Sequence, residues 1–458
     1  MASAKSADKR GRIDADFFAH PQTDRLNAIE EDPRSIPLAA LCSTKTSGFT
    51  PKVESLRDGE IDFATIDCIS PLNLHKNNFK RIPKSEYEAG FVNARKVTKG
   101  SVLCTIKRRI CQAYPFLTNP AQPLAFNQDI ALLRPKPEQS SPVYLAAYLG
   151  SSIGQALASR EQTEQMNPYL SLIGLGNLPV VLVSPDVQSG IKALFLAGEA
   201  RQRASRAALA QAEALLLDAL GLRGWSPPEP LTYTRSAAAV AEAGRLDAEF
   251  AAPRVQALLG LLASSGQTLA DVAEVRREKF KPATEGTFDY IEIGDLDGYG
   301  RCSSTSLDMI DAPSRATWHV RPGDVLTSTV RPIRRLSAIV ADSQDGHVCS
   351  SGFVVLEPTA ISPECLLTFL RLPLVCELMH LFATASMYPA LAEKDLMALP
   401  IPAFDRETDL AVASAVAKAR AELARSESLL EAAKRAVEIA IEDSEAAALA
   451  FIAAQEAG

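Results

Sequence analysis

The sequence lacks the signatures of a disulfide-stabilised, metal-binding or membrane-spanning protein. Its eight cysteines form no CxxC pair and no Cys/His cluster at the spacing of metal ligands. No run of about 18 consecutive apolar residues is present, so no membrane span is expected. The first residues contain no apolar segment of the kind found in signal peptides. We therefore expect reduced thiols, no bound metal, no membrane partner and a cytoplasmic location.

Catalytic motifs are also scarce. The sequence contains no phosphate-binding GxxxxGK[ST] loop and no GxGxxG dinucleotide fingerprint. The stretch MNPYL (166–170) lacks the second proline of the motif that amino-methyltransferases use, and we interpret Asn167-Pro168 as a turn before a strand. We therefore nominate no catalytic residue, and we expect neither enzymatic activity nor a cofactor bound by this chain.

Charge is unevenly distributed along the chain. The net charge of −7 argues weakly against a nucleic-acid partner. Residues 76–111, however, contain ten basic and two acidic side chains, whereas residues 405–458 contain six basic and eleven acidic ones. Local patches rather than total charge decide which partner a surface attracts. The first segment therefore suits an anionic partner, and the acidic end of the chain suits a basic protein surface or plain solvent.

A hexamer near the middle of the chain, RLDAEF at Arg245–Phe250, repeats one near the N-terminus, RIDADF at Arg12–Phe17. Further matches follow in the same order: residues 61–69 with 288–296, 97–103 with 320–326, 129–135 with 352–358, 141–149 with 362–370, and 166–179 with 387–400. The offset between the copies falls from 233 for the hexamer to 221 for the last pair, as small loop deletions would produce. Ordered matches of this kind indicate an internal duplication.

Each copy ends in a long helical segment whose small and apolar residues recur at alternating spacings of four and three. This 3.5-residue period is typical of coiled-coil packing. The positions are Ile191, Phe195, Gly198, Gln202, Ser205, Leu209, Ala212, Leu216 and Ala219 in the first copy, and Val412, Val416, Ala419, Leu423, Ser426, Leu430, Ala433, Val437 and Ala440 in the second. We predict that the two segments pack on each other, although two helices packed separately on their own domains would show the same pattern. We expect Gly198, Gln202 and Ser205 to weaken the first seam locally.

Short β-branched runs alternate with turn residues in each copy and are followed by helical stretches, which predicts a mixed α/β fold. The predicted order is a first globular domain at 1–185, a long helix at 186–224, a linker and second globular domain at 225–404, and a second long helix at 405–458. The fold class is therefore a mixed α/β tandem repeat with two long helices.

Motifs spread along both copies resemble those of one known family. They are TSGFTP (46–51), FDYIEIGDLDGYG (288–300), VRPGDVLTSTVRP (320–332) and the Leu-Pro segments at 178–180 and 399–402. In this order, they resemble the specificity (S) subunit of type I restriction–modification systems over nearly the whole chain. The first copy departs from the pattern, with GSVL in place of GDVL and Cys68 where a Gly-Asp pair would fall. The geometry of its loops is therefore left open.

In that family each α/β unit is a target recognition domain that reads one half of a split, asymmetric DNA site. The resemblance implies that the two long helices pair antiparallel as a coiled coil, and that two adenine methyltransferase subunits dock on the helices and domains. S-adenosylmethionine would be bound by those subunits, and restriction subunits join some complexes to form the nuclease. This chain would then be a non-catalytic subunit of a restriction–modification or methylation-based phage-defence complex.

Basic and polar side chains suited to double-stranded DNA lie inside both predicted domains. In both copies three cations follow an equivalent strand, VTKGSVL or VRPGDVL. An arginine fork can pair with guanine O6 and N7, whereas phosphate contacts position a protein without specifying a sequence. A solvated surface would carry the same residue types. The candidates are Lys76, Asn77, Asn78, Lys80, Arg81, Lys84, Lys107, Arg108, Arg109, Gln112, Arg276, Arg277, Lys279, Lys281, Tyr299, Arg331, Arg334 and Arg335.

The long helices would also set a distance. A helix over 411–441 would be about 46 Å long, which exceeds one turn of B-DNA at roughly 34 Å. We therefore expect several unread base pairs between the half-sites. Removal of one turn from both helices, about 5.4 Å, is expected to shorten that gap by about one to two base pairs.

Two other interpretations fit the same sequence. A stand-alone regulator with tandem DNA-binding domains would need no methyltransferase partner. A scaffold would bind protein through its coiled coil and never touch DNA. Replacement of Arg334 and Arg335 by alanine separates the last interpretation from the others, because only a DNA reader would lose its site preference.

Overall fold

The computed structural model describes residues 20–52, 59–91, 95–163, 166–227, 229–383 and 390–457. The first copy of the hexamer, at 12–17, lies outside these residues, as do Met387 and Pro389 of the last repeat pair. The chain divides into two units. The first unit runs up to Arg201 and resumes at Ala424, and the second comprises Gln202–Leu423.

The first unit is a mixture of short strands and helices. Its helices are α1 (Thr23–Glu31), α2 (Leu38–Leu41), α3 (Lys84–Gly90), α4 (Pro142–Gly150), α5 (Ser152–Glu161), α6 (Leu172–Asn177) and the first half of α7 (Pro185–Ala219). Its strands are β1 (Ser35–Pro37), β2 (Cys42–Ser47), β3 (Ile61–Ala64), β4 (Ile69–Ser70), β5 (Asn73–Leu74), β6 (Lys80–Ile82), β7 (Val102–Thr105), β8 (Ala113–Pro115), β9 (Leu124–Phe126), β10 (Ile130–Pro135) and β11 (Pro179–Val181).

The second unit contains the same kinds of element. Its helices are the second half of α7, α8 (Ala237–Ala243), α9 (Ala248–Ala251), α10 (Pro253–Leu262), α11 (Pro363–Arg371), α12 (Pro373–Phe382), α13 (Glu393–Met397) and the first half of α14 (Arg406–Glu442). Its strands are β12 (Ala273–Val275), β13 (Thr287–Ile291), β14 (Thr305–Asp308), β15 (Ala316–His319), β16 (Val325–Ser328), β17 (Ser337–Ile339), β18 (Val348–Ser350) and β19 (Phe353–Pro358). The rest of α14 and α15 (Glu445–Ala457) belong to the first unit.

The strand order of the sheets repeats between the units. The first unit has an antiparallel sheet of order β2-β10-β7-β8, and the second has one of order β12-β19-β16-β17. A smaller sheet, β6-β3-β9, corresponds to β14-β13-β18, which β15 extends. Each smaller sheet contains one parallel pair, which is β3 with β9 in the first unit and β13 with β18 in the second. The duplication seen in the sequence therefore extends to the topology.

In the larger sheet of each unit, the strands β7 and β16 are buried on both faces. In β7, Val102 and Cys104 face a core shared with α4 and α5, whereas Leu103 faces the core of the smaller sheet. In β16, Val325 and Leu326 divide in the same way. Successive side chains of a strand point to opposite faces, so an uninterrupted apolar run serves both cores.

The turn before these strands explains a motif and its departure. Gly100 and Gly323 both have a positive φ, 87° and 85°, which glycine adopts without a steric penalty. One residue later, the Asp324 carboxylate accepts a hydrogen bond from the Arg321 N–H at 2.8 Å. In the first copy, the Ser101 hydroxyl accepts the equivalent bond from Thr98 at 3.1 Å. Serine thus replaces aspartate in GSVL with the turn unchanged.

The long helices pack on each other in both units. In the first unit, Phe195 in the first half of α7 shares a core with Val437 in the second half of α14. In the second unit, Leu216 in the second half of α7 shares a core with Val416 in the first half of α14. The helices therefore run antiparallel, and the predicted tandem α/β fold with an antiparallel helix pair is confirmed.

The predicted seam positions are mostly buried. All nine on α14, from Val412 to Ala440, are buried. On α7, Gln202 and Leu209 are half-buried and the terminal Ala219 is exposed, whereas the remaining predicted positions are buried.

Gly198, expected to weaken the seam, receives the side chain of Leu430. A Cβ atom at Gly198 would lie 2.8 Å from Leu430 Cδ2. The Ser426 hydroxyl also donates a 2.7 Å hydrogen bond to the Gly198 carbonyl. The glycine therefore leaves no empty space at the contact.

The helix predicted for 405–458 is two helices, because α14 ends at Glu442 and α15 begins at Glu445. Ile452 of α15 packs in the core of the first unit, against Gly190 of α7. The Glu445 carboxylate accepts a hydrogen bond from the Ser184 N–H at 3.1 Å, just before α7 begins. The chain turns at this point because the first unit binds its end.

Two acidic residues near this turn have partners within the first unit. Glu438 accepts hydrogen bonds from Ser152 N–H at 2.7 Å and from Arg435 at 2.8 Å. Glu442 forms an ion pair with Arg25. The sequence-based interpretation of this end as a docking surface for a basic protein stays a prediction, with Glu442 and Asp443 exposed.

The hexamer RLDAEF forms a cluster of hydrogen bonds and cation–π contacts in the second unit. Asp247 accepts a hydrogen bond from Phe250 N–H at 3.0 Å and caps α9, while Arg245 forms two bonds to the Asp247 carboxylate, at 2.8 and 2.9 Å. The Arg245 guanidinium also lies over the rings of Phe250 and Phe382, at 4.5 and 5.7 Å from their centroids. The repeated hexamer therefore ties the entry of the second unit to α12.

Several predicted absences can be compared with the structure. All eight cysteines are free thiols. The described residues contain no group of three or more His, Cys, Asp or Glu side chains arranged to hold a metal ion. In the same part of the chain no single helix has the length and apolar character of a membrane span, although the bent pair α11 and α12 together would pass on those two criteria.

Candidate nucleic-acid interface

Two hairpin loops carry the cations that follow equivalent strands. The first basic loop, residues 106–112, joins β7 to β8. The second basic loop, residues 329–336, joins β16 to β17. Each loop therefore follows a strand that is buried on both faces, and the paired strands hold the two ends of the loop in place.

The two loops share an unusual backbone. The third residue after each strand is an arginine with a positive φ, Arg108 at 59° and Arg331 at 51°. A second residue near the end of each loop is also left-handed, Cys111 at 55° and Arg335 at 60°. Residues other than glycine rarely adopt this backbone conformation, because their Cβ atom then approaches the backbone too closely.

Both loops are pinned by the segment that precedes the closing Leu-Pro motif. The N–H of Leu170 donates to the carbonyl of Ile106 at 2.9 Å, and the N–H of Leu391 donates to that of Thr329 at 2.9 Å. The first of these segments is MNPYL, which the sequence identified only as a turn. Its structural role is to hold the first basic loop.

The cations of the first basic loop differ in their freedom. The Lys107 ammonium lies 3.4 Å from an Asp129 carboxylate oxygen and 5.8 Å from the Tyr169 ring centroid. Arg108 receives backbone support, since its N–H donates to the Pro168 carbonyl at 2.8 Å. Its side chain is exposed and has no partner among the described residues. Arg108 is thus the loop cation most available to a ligand.

The loop's remaining polar candidates contact the protein itself. Arg109 is exposed but donates a 3.2 Å hydrogen bond to the Ile69 carbonyl in β4. Gln112 is half-buried and donates to the Ile110 carbonyl at 3.2 Å and to Gln155 at 3.3 Å. Gln112 therefore supports the loop and is a weak candidate for reading a base.

The basic segment 76–84 lies along a 3₁₀ helix at Lys76–Asn78 and the edge strand β6. Lys76, Asn77 and Lys80 are exposed, with no side-chain partner in the part of the chain that the structure describes. The other three candidates have partners: Asn78 donates to the Asp67 carbonyl at 2.9 Å, Arg81 lies 3.6 Å from Asp62, and Lys84 lies 3.8 Å from Glu88. The segment therefore presents a largely solvated basic surface.

The arginines of the second basic loop also differ in exposure and in their partners. Arg334 is exposed and Arg331 is half-buried. Arg335 forms an ion pair with Glu213 of α7, so its charge is partly used inside the second unit. The alanine test at 334 and 335 therefore combines one available cation with one that supports the fold.

A residue that the sequence did not indicate, Arg371 at the end of α11, positions this loop. Its guanidinium donates to the carbonyls of Arg335 and Ser337 at 3.1 Å each, and to that of Gly298 at 2.6 Å. Burial lowers the pKa of Arg371 below its usual value. The duplication offered no signal, because the equivalent position in the first copy is Gly150.

The Gly298 contact brings a second candidate loop beside the basic loop. Tyr299 is half-buried, and its hydroxyl accepts a 2.9 Å hydrogen bond from Arg206 of α7. Tyr299 is therefore positioned by Arg206 of α7. The residue before it, Gly298, is positioned by Arg371.

The cluster at 276–281 divides into buried and exposed parts. Arg276 forms two hydrogen bonds to Asp324, at 2.7 and 3.1 Å, and an ion pair with Glu357. Burial raises the pKa of the Asp324 carboxyl even with Arg276 beside it. We therefore assign Arg276 to the fold rather than to an interface, because its guanidinium is paired with the carboxylates of Asp324 and Glu357. Arg277, Lys279 and Lys281 are exposed. Arg277 forms an ion pair with Glu393.

One serine-containing segment matches the GxSxG pattern found at the nucleophile of some hydrolases. GSSIG at 150–154 matches GxSxG, but it joins two helices, α4 and α5. Nucleophile turns of that type follow a strand and expose the serine at the edge of a sheet. The serine at the nucleophile position, Ser152, is the first residue of α5, and its hydroxyl accepts a hydrogen bond from Arg25 at 3.0 Å. Ser151 caps the same helix by accepting a hydrogen bond from Gly154 N–H at 3.2 Å. The pattern is a helix start and not a catalytic centre.

The chain matches no model of a known protein family and no curated protein sequence. Three solved structures are similar to it over most of their length. The S subunit of the type I restriction–modification system from M. genitalium shares 11% identity, covers 91% of this chain and 95% of its own, and has a TM-score of 0.37. A structure described as the basis of complex assembly and conformational transition of the type I R-M system shares 15% identity, covers 92% and 96%, and has a TM-score of 0.28. The HsdS subunit from Thermoanaerobacter tengcongensis shares 15% identity, covers 90% and 97%, and has a TM-score of 0.26. Over at least 90% of its length, the chain is thus similar to S subunits of type I restriction–modification systems.

Proposed function

We propose that this chain is the DNA-recognition subunit of a type I-like restriction–modification or methylation-based defence complex. One observation carries the proposal. Two units of the same strand order each present a hairpin loop with three cations, and the two loops share a left-handed arginine at the same position. Two similar readers on one chain suit a divided site whose halves are read separately.

The chemistry of the loops suits the DNA duplex. Lysine and arginine neutralise phosphates, and release of the displaced counterions supplies most of the non-specific affinity. Arginine can also pair with guanine in the major groove, which supplies sequence preference. The exposed cations of the segment 76–84 and of Lys279 and Lys281 suit phosphate contacts, which position the protein on the duplex.

The partner is proposed from the motif resemblance described above. An adenine methyltransferase, at two subunits per chain, would supply the chemistry and bind S-adenosylmethionine, while this chain supplies the site. Restriction subunits would be a further partner in a complex that also cleaves. The proposed location is the cytoplasm, where DNA and these subunits meet.

The test is a selection from random-sequence DNA duplexes by the full-length chain, purified with the subunits that accompany it. We expect two short enriched sequences separated by a constant gap, and adenine methylation at the same site in cells that contain the gene. A failure to enrich any sequence, even at low salt, would contradict the proposal. An enriched site that carries no methylation would instead favour the stand-alone regulator.

A further inference from the structure

We propose that Arg108 and Arg331 are the matched base-reading arginines of the two units, each paired with one guanine in its own half-site. The inference rests on the proposed function, because it names the contact by which each unit would read DNA. It starts from five non-glycine residues that have a positive φ in the described part of the chain, which are Leu72, Arg108, Cys111, Arg331 and Arg335.

Most of these left-handed residues are explained by the fold. Leu72 and Cys111 are buried in hydrophobic cores, where their side chains stabilise the unit. Arg335 forms its ion pair with Glu213. Arg108 has no such explanation, because its side chain is exposed and contacts no partner in the described part of the chain.

Glycine would be the unstrained residue at position 108, since it populates the left-handed region freely. The sequence has arginine there and, at the equivalent position of the other copy, arginine again. A strained residue persists where it contributes something that offsets the strain, and such residues cluster at ligand-binding sites. Because Arg108 contacts no partner among the described residues, we assign its contribution to a contact with the DNA ligand.

The geometry favours a base edge over a phosphate. A phosphate contact requires only a nearby flexible cation, and exposed cations such as Arg109 and Arg334 already lie in the same loops. A bidentate contact to guanine requires a guanidinium fork held in a defined direction. The backbone at Arg108 is held on both sides, by the Pro168 carbonyl at 2.8 Å and by the Leu170–Ile106 bond at 2.9 Å.

The test uses Arg108→Gly and Arg331→Gly in the full-length chain, with Arg334→Ala as the comparison. Arg108→Gly removes the side chain and relieves the backbone at once. We expect its thermal midpoint to rise by about 2 °C. In the duplex selection, discrimination should fall roughly 5- to 150-fold at a single base pair of one half-site. Arg331→Gly should do the same in the other half-site only.

The outcomes separate the alternatives. Arg334→Ala should weaken binding to all sequences about equally and reduce the slope of log affinity against log salt by about one. If Arg108→Gly behaves in that uniform way, or leaves binding unchanged, the base-reading role is wrong. A fall in the thermal midpoint of Arg108→Gly would show a structural arginine and would also overturn it. Failure of the wild-type chain to enrich any duplex would contradict the proposed function instead.

Discussion

Two arginines that adjoin in the sequence lie in opposite environments. The side chain of Arg276 is 19% exposed and holds Asp324, which is 1% exposed, whereas the side chain of Arg277 is 62% exposed. An ion pair that is buried is costly to break, because the remaining charge loses its partner and cannot regain water. An exposed pair adds little, because water screens it.

We therefore expect Arg276→Ala to lower the free energy of unfolding by about 3 kcal/mol at pH 7. Arg277→Ala is the matched control and should change it by less than about 1 kcal/mol. Urea denaturation of the two variants measures the difference. Equal losses would show that burial does not distinguish these arginines.

The pH dependence of the Arg276→Ala variant follows from Asp324. Burial already raises the pKa of this carboxyl, and loss of the arginine removes the charge that opposes the rise. Protonation then removes the unpaired buried charge, so the deficit relative to wild type should shrink as the pH falls from 7 towards 5. A deficit that is constant over this range would argue against an unpaired carboxylate as its cause.

A second prediction at the residue scale concerns the Arg245–Asp247 pair of the hexamer. The hydrogen bonds from Arg245 hold the pKa of Asp247 below its usual value. A carboxyl with a lowered folded pKa stabilises the fold above its unfolded pKa of about 3.9, and this contribution is lost as the pH falls through the folded pKa.

Asp247→Asn keeps a residue that can cap α9 but removes the charge. We expect it to lower the free energy of unfolding by less than about 1 kcal/mol at pH 7, and by progressively less below about pH 4. Thermal unfolding at pH 7 and pH 3 measures the effect. Asp218→Asn, in an exposed pair with Arg223, is the control and should change little at either pH. A loss for Asp247→Asn that persists at pH 3 would contradict the charge-based explanation.

At the scale of elements, the packing of α7 on α14 depends on a small residue at the contact. A side chain at Gly198 would collide with Leu430, whereas Gly260, in the exposed middle of α10, has open space around it. Replacement of a helical glycine by leucine improves helix propensity by roughly 0.5–1 kcal/mol when nothing obstructs the new side chain.

We expect Gly198→Leu to destabilise the protein by about 1–3 kcal/mol, because overpacking outweighs the gain in propensity. Gly260→Leu should stabilise it by about 0.5 kcal/mol or more. Chemical denaturation of both variants measures these changes of opposite sign. A gain in stability for Gly198→Leu would mean that the helices do not approach closely at this point.

At the scale of the molecule, the long helices have a length that can be altered in register. Helix α14 has 37 residues and α7 has 35. Removal of one heptad from each helix at facing positions preserves the seam and shortens the pair by about 10.5 Å. Under the proposed function, the selected gap between half-sites should shorten by about three base pairs. An unchanged gap would show that the helices do not set the spacing.

Periodicity and duplication are properties that the sequence displays directly. The 3.5-residue pattern predicts the helix pair because it depends only on spacing along one chain. The ordered matches predict two units of like topology, and the two sheets of each unit follow the same strand order. The two copies also begin equivalent helices alike, since Ser141 and Ser362 cap α4 and α11, whose first residues are prolines.

Only the tertiary structure decided which cations are available. Arg276 and Arg334 look alike in sequence, and one is occupied by Asp324 through a residue separation of 48 while the other is exposed. Such pairings depend on which distant strands become neighbours. The left-handed backbone of Arg108, the hydrogen bonds from Arg371 and the turn after Glu442 have the same origin. Each is imposed by contacts between remote segments, and no local pattern records it.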